Sequence, residues 1–281
     1  MVLIDYNGIA VGSILGQLNR GDTLSENLVK HIILNNIRTY RNKFSEEEYG
    51  KIVLCVDSFS WRKEIFPEYK ANRKATRDTD KYDWAEIYRL LDITTNDIRK
   101  NFPYAVLRVD RCEADDIIGT LAREEANKFG GEKIVIISAD KDFIQLHSLG
   151  NVIQYSPMQN KMVKDSNPGK YLFDHILKGD SGDGVPNCNS PDNTFTDKIR
   201  QKPMTQRMID KYYEDRESMP SEVYRNFVRN TKMIDLKETP QELQDEIVAL
   251  NENYKYPNKS NILNYLIQNK MKMLIECAGE F

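Results

Sequence analysis

No apolar run in this 281-residue chain approaches the ~20 residues that cross a bilayer. Its start, Met1-Val2-Leu3-Ile4-Asp5, already reads as a strand and lacks the basic region and small-residue cleavage site of a secretion signal. A soluble, cytoplasmic, monomeric protein without membrane contact is expected. Cysteine is sparse too. Cys55, Cys112, Cys188 and Cys277 lie far apart with no C-x-x-C pair, which excludes a zinc ribbon and points to reduced thiols. Only His31, His147 and His175 occur, so chemistry on a histidine base is not expected; each reads as a surface or half-buried structural residue. Internal repeats and low-complexity tracts are absent. What remains, 40% hydrophobic and 30% charged residues, describes one large globular domain, or one with a smaller companion.

What is present is aspartate at the ends of apolar runs. Asp5 follows Val2-Leu3-Ile4, Asp57 follows Ile52 to Val56, and Asp140 follows Ile134 to Ala139. Between these runs the pattern switches to helical spacing. Ser25 caps a helix reaching beyond Ile37, another runs from Asp83 through Lys100, and Ala114, Ile117, Ile118, Leu121 and Ala122 make a buried stripe. Strands at Tyr104 to Asp110 and Asn151 to Tyr155 complete the alternation. The fold class is therefore α/β, a mostly parallel central sheet flanked by helices, with a C-terminal helical subdomain. The division expected is 1–183 for the α/β domain and 184–281 for the helices. These are Pro203 to Asp215, Ser221 to Lys232, Pro240 to Asn251 and Asn261 to Glu276. Thr239, Pro240 and Glu242 read as a capping-box start.

In a parallel sheet the carboxyl ends of the strands lie along one edge, so acids distant in sequence meet there. Glu113, Asp115 and Asp116 open the buried-stripe helix, Asp142 follows Asp140, and Asp180 and Asp183 stand in Lys178-Gly179-Asp180-Ser181-Gly182-Asp183. Nine carboxylates cannot stay ionised together without multivalent cations. An oxygen-only ligand set suits Mg²⁺, with Mn²⁺ able to substitute. The macrodipole alone would favour acids at a helix start, and Asp110 reads as an ordinary turn residue. The coincidence of several strand-end positions is what favours a joint site.

The net charge of −3 conceals a segregation. Arg62, Lys63, Lys70, Arg73, Lys74 and Arg77 cluster between Trp61 and Arg77, with Lys70, Arg73, Lys74 and Arg77 spaced to share one helix face. Such a run is commonly a solvated surface; here it has little apolar material of its own, so a phosphate backbone is the expected partner. Trp61, Phe66 and Tyr69 add rings able to stack on bases.

Six segments in this order resemble the flap-endonuclease-like 5′ nuclease family, most closely its T-even bacteriophage ribonuclease H branch. They are Leu3-Ile4-Asp5-Tyr6, Val53-Leu54-Cys55-Val56-Asp57, Pro67-Glu68-Tyr69-Lys70-Ala71-Asn72-Arg73, Cys112-Glu113-Ala114-Asp115-Asp116, Ser138-Ala139-Asp140-Lys141-Asp142-Phe143 and Lys178 to Asp183. The resemblance implies one metal site from Asp5, Asp57, Glu113 and Asp115 and a neighbour from Asp116, Asp140, Asp142, Asp180 and Asp183. It implies a helical arch over the site at about 61–82, with Lys70 and Arg73 on the reacting phosphate. Arg62, Tyr69, Lys74 and Arg77 would join them in holding nucleic acid. It also implies two Mg²⁺ ions and a 5′→3′ exonuclease and flap endonuclease acting on RNA–DNA hybrids and branched or nicked DNA. The task implied is removal of RNA primers in phage replication, beside a single-stranded-DNA-binding protein and a replication clamp. The Gly-rich duplex-binding hairpin of the family is not matched: Gly184-Val185-Pro186-Asn187-Cys188-Asn189-Ser190-Pro191 has no Gly-x-Gly repeat.

Alternatives are a catalytically silent DNA-structure binder and a PIN-type single-strand ribonuclease. Retention of all nine acids opposes the first, and the basic segment and C-terminal helices oppose the second. An aspartyl-phosphate phosphotransferase would need an acid two residues beyond Asp5, where Asn7 stands.

Overall fold

In the computed structural model, which describes residues 1–73, 81–128 and 130–281, the strand-forming runs hydrogen-bond into one sheet. Its strands are β1 (Val2–Asp5), β2 (Ile52–Cys55), β3 (Ala105–Leu107), β4 (Ile134–Ile137), β5 (Val152–Ser156) and β6 (Lys161–Val163). Their order is β3-β2-β1-β4-β5-β6, with every pair parallel except β5 and β6. The order reverses direction between β1 and β4, the topological switch point where such sheets open a ligand crevice.

The runs are apolar throughout because both faces of the sheet are covered. Val2, Ile4, Leu54, Val135 and Ile137 point into one core, and Leu3, Val53, Cys55, Ile134 and Ile136 into the other. The first core is closed by α1 (Tyr6–Leu18), α2 (Glu26–Lys43) and α3 (Trp84–Asn101), the second by α4 (Ala114–Asn127). Ser25 accepts from the Leu28 N–H, capping α2 as expected, and Asp83 accepts from the Glu86 N–H at the start of α3.

Three elements differ from the sequence reading. Tyr6, directly after β1, begins α1, a helix missing from the expected alternation, whose Gly8, Gly12 and Gly16 weaken the helical signal. Residues 161–170, outside every expected element, supply the edge strand β6 and the start of α5 (Pro168–Lys178). The helix expected from Asn261 to Glu276 is two, because Lys270 takes a left-handed φ of 55°.

The later helices are α6 (Gln206–Glu214), α7 (Ser221–Ile234), α8 (Gln241–Glu252) and α9 (Ser260–Gln268). Their apolar faces are spread through the molecule. Ile209 of α6 and Val223 of α7 pack with Phe173 and Leu177 of α5. Leu243 and Ile247 of α8 join the core beneath α4, while Ile262 and Leu266 of α9 join the opposite one. The segment 184–205 forms turns, not a helical hairpin, and Asn226 and Asn230 of α7 hold it by donating to the carbonyls of Pro186, Cys188 and Ser190.

Candidate metal centre and its basic flank

Register brings the strand-end acids together. Asp5 pairs with Cys55, two residues before Asp57, and Ile4 pairs with Ile137, three residues before Asp140. The carboxylates of Asp5, Asp57 and Asp140 therefore share the edge beside the switch point. Asp5 also caps α1: one oxygen accepts from the Gly8 N–H at 3.2 Å, the other from Ser138 Oγ at 2.8 Å. A Cβ on Gly8 would come within 2.6 Å of that carboxylate, which is why glycine is needed there. Asp57 accepts from the Ala114 N–H at 2.8 Å, tying β2 to the start of α4.

These acids have few cations of their own. Burial, then the neighbouring Asp57 charge, pushes Asp5 up to about 7. Asp140 opens to solvent yet stands crowded by protein and by Asp142, and rises to about 6. Burial also raises Asp57 and, with Glu113 beside it, Asp115.

The other flank is neutralised internally. Arg62 is fully buried, donating from Nη1 to Glu113 at 3.2 Å and Asp116 at 3.0 Å, and from Nε to the Met233 carbonyl at 2.9 Å. Asp116 also accepts from Trp61 Nε1, Thr239 Oγ1 and the Glu113 N–H. Two expectations are corrected here. Arg62 cannot touch nucleic acid, since packing encloses it. Asp116 does not join Asp140 and Asp142; it sits with Glu113 and Asp115, whose ligand atoms lie within 4.8 Å of its own, and its oxygens are committed to Arg62 and its neighbours. The capping box at Thr239 is likewise absent, because that hydroxyl points to Asp116 and Pro240 precedes the helix without a side-chain cap.

Tyr69, Trp61 and Phe66, expected as stacking rings, are all at most 5% exposed. Tyr69 donates to Glu113 and Asp183 from inside the molecule. Lys70 does not lie on a helix face with Arg73. It takes a φ of 56°, and its ammonium pairs with Glu113 and, at 3.4 Å, with Asp183; Arg73 pairs with Asp183 as well. Burial opposes ionisation of Glu113, but Lys70 and Arg62 outweigh it and hold the carboxyl at about 2. Lys74 and Arg77 lie outside the described residues.

Beyond Asp140, the chain adds a residue that sequence reasoning set aside. His175, in the last turn of α5, has Nδ1 3.2 Å from Asp142 and Nε2 3.7 Å from Asp180. Burial would lower its pKa, but the two carboxylates prevail and raise it to about 10. Its position five residues before Asp180 was the available signal. Gly179 keeps this turn open: at φ 68°, a Cβ would meet the Val185 carbonyl at 2.4 Å.

The chain also matches known proteins in family and in fold. Residues 2–170 match the family model for the 5'-3' exonuclease N-terminal resolvase-like domain, and residues 168–281 that for the T4 RNase H C-terminal region. The chain is 30% identical to the ribonuclease H of Enterobacteria phage T4, over 99% of this chain and 95% of that protein. It is 31% identical to the exodeoxyribonuclease of Enterobacteria phage T3, over 55% of this chain and 48% of that one. A flap endonuclease of bacteriophage T5, solved with DNA and metal ions, shares the fold at a TM-score of 0.62 and 14% identity, over 90% of this chain and 99% of that one.

Proposed function

This chain belongs to the 5′-3′ exonuclease family with a T4 RNase H-type C-terminal region, and from that premise we propose a magnesium-dependent 5′→3′ exonuclease and flap endonuclease. Its substrates on this reading are RNA–DNA hybrids and nicked or branched DNA, and its task is removal of RNA primers during phage replication. That task would set it beside a single-stranded-DNA-binding protein and a replication clamp.

One observation carries the reading: the crowded, cation-poor carboxylates of Asp5, Asp57 and Asp140 at the switch point. Held close together with raised pKa values, they gain most from a hard divalent cation, and the donors around them are oxygens apart from the His175 nitrogens beside Asp142 and Asp180. Asp5, Asp57, Glu113 and Asp115 would hold one ion, and Asp140, Asp142, Asp180 and Asp183 a second. Bound there, Mg²⁺ supplies Lewis acidity that activates water and stabilises the leaving 3′ oxygen of a phosphodiester.

The protein's own groups do the rest. Lys70 and Arg73 bring two positive charges to the row's edge, where an entering phosphate can replace Glu113 and Asp183 as their partner. Arg62 and Tyr69 fix the Glu113 carboxylate from behind. Asp116 orients Arg62 in turn. No histidine base is assigned, and the products expected are a 5′ phosphate and a free 3′ hydroxyl.

A hybrid labelled at its 5′ end tests this. Labelled product should form with Mg²⁺ and not with EDTA; full retention of label in Mg²⁺ rejects the activity.

A further inference from the structure

One imidazole stands among the carboxylates. His175, in the last turn of α5, borders a cleft of about 920 Å³ together with Asp140, Asp142 and Asp180. Its Nδ1 lies 3.2 Å from Asp142 Oδ1, while its Nε2 lies 3.7 Å from Asp180 Oδ2, beyond hydrogen-bond reach. Tyr171 meets the imidazole edge-on, with ring centres 6.0 Å apart, and so sets its plane. Asp180 is held too: its other oxygen accepts from the Gly182 N–H at 2.7 Å and the Asp183 N–H at 3.1 Å. Nε2 and Asp180 Oδ2 are thus fixed near each other without a bond between them. One donor atom from each of Asp142, His175 and Asp180 lies within 4.8 Å of the other two.

Such a separation suits two ligands of one ion. Donors ~2.1 Å from a metal, at right angles or wider, stand roughly 3–3.7 Å apart. A ligating imidazole usually has a carboxylate at its second nitrogen, and Asp142 occupies that place. Resting on the nuclease reading, we infer that His175 Nε2 joins Asp180 in holding the second ion, and that this nitrogen makes the site prefer Mn²⁺ to Mg²⁺. Imidazole suits first-row transition ions, whereas Mg²⁺ takes oxygens and keeps several waters. The ring releases its proton as the ion binds. The first site offers only the carboxylate oxygens of Asp5, Asp57, Glu113 and Asp115, so the two sites differ in the ion they favour.

The test reads metal binding without DNA or turnover. Calorimetry gives the Mn²⁺ and Mg²⁺ affinities of the wild-type protein and of His175→Asn, and pulsed electron spin resonance detects nitrogen bound to Mn²⁺. Asparagine keeps an amide near the place of Nδ1 and leaves nothing at that of Nε2. The wild type should show nitrogen hyperfine coupling to Mn²⁺, and His175→Asn should lose it. The variant should bind Mn²⁺ at this site about ten-fold more weakly, while its Mg²⁺ affinity stays within about two-fold. Thermal melts in EDTA check that its fold is intact. Absence of nitrogen coupling in the wild type overturns the inference whatever the variant does. Equal losses for the two ions overturn the preference. Tighter binding of both by His175→Asn also overturns it, and makes the ring a resident cation that competes with them. If nitrogen couples to Mn²⁺ but a labelled hybrid stays uncut in Mg²⁺, the nuclease reading fails while the ligand stands.

Discussion

Glu113 and Asp140 belong to one row of carboxylates, yet the chain treats them in opposite ways. Around Glu113 it has placed Arg62, Lys70 and Tyr69, so the charge is compensated by permanent residents and the carboxyl stays ionised even in acid. Around Asp140 it has placed Asp142, Asp180 and Asp183, and the nearest cation, His175, is turned to Asp142 and Asp180. A buried charge paired with its own cation is a structural element; one left among like charges is a binding site awaiting a cation from outside. Substitutions should therefore separate the two sides: loss of activity with little loss of stability on one, loss of stability first on the other.

The largest effect should be Asp140→Asn. Removing one charge from the uncompensated side should cut cleavage by roughly a thousand-fold or more while the protein still melts cooperatively at or above the wild-type temperature. Quantitative release of labelled product in Mg²⁺, alongside thermal melts, checks both halves. Wild-type turnover would remove Asp140 from the site.

Asp116→Asn should do the reverse. It leaves the Arg62 guanidinium buried with half its compensation, and breaking such a pair costs about 3–5 kcal/mol. Chemical denaturation should show this loss in EDTA, before any metal is added. An unchanged midpoint, with metal affinity lost instead, would restore Asp116 to the ligand set that the sequence suggested.

This difference marks where sequence reading reached its limit. Strand ends are legible because an apolar run followed by aspartate fixes both the element and the place of the acid, and parallel register does the rest. Arg62 was not legible: in sequence it is one of six basic residues in a polar stretch, and only the tertiary approach of Met233 and Asp116 encloses it. Tyr69 misled for the same reason, since a ring in a charged segment reads as exposed until Val185, Ile176 and Ile234 pack over it. Spacing placed Lys70 on a helix with Arg73, but its left-handed backbone turns it inward to Glu113. The scarcity of histidine hid His175, whose role depends on two loops converging on one helical turn.

Acidity offers an intermediate effect. In the folded state Asp5 is raised from 3.8 to about 7, Asp140 from 3.8 to about 6 and His175 from 6.5 to about 10. Between pH 5 and 8 the folded protein thus holds protons that the unfolded chain releases, and stability must fall as pH rises. The melting temperature in EDTA should be higher at pH 5.5 than at pH 8. Mg²⁺ should stabilise more at pH 8, where the acids are already deprotonated. Asp5→Asn should flatten the dependence and stabilise the metal-free protein at pH 8 by about 1–3 kcal/mol, because asparagine can still cap α1. A melting temperature that climbs with pH in EDTA would contradict the reading of an uncompensated flank.

The smallest effect sharpens the opposite flank. Thr239 Oγ1 donates to Asp116 at 2.8 Å from the turn leading into α8, so this hydroxyl links the C-terminal helices to the Arg62 cluster. Thr239→Val keeps the shape and removes a hydroxyl that Asp116 shares with the Leu236 carbonyl, a loss of about 1 kcal/mol. If Asp116 serves as support, the change should appear in denaturation while Mg²⁺ affinity from calorimetry stays within about two-fold. If Asp116 were a ligand, the same variant would free one of its lone pairs and shift Mg²⁺ affinity instead. A single conservative substitution, remote from the strand ends, thus decides on which side of the row Asp116 belongs.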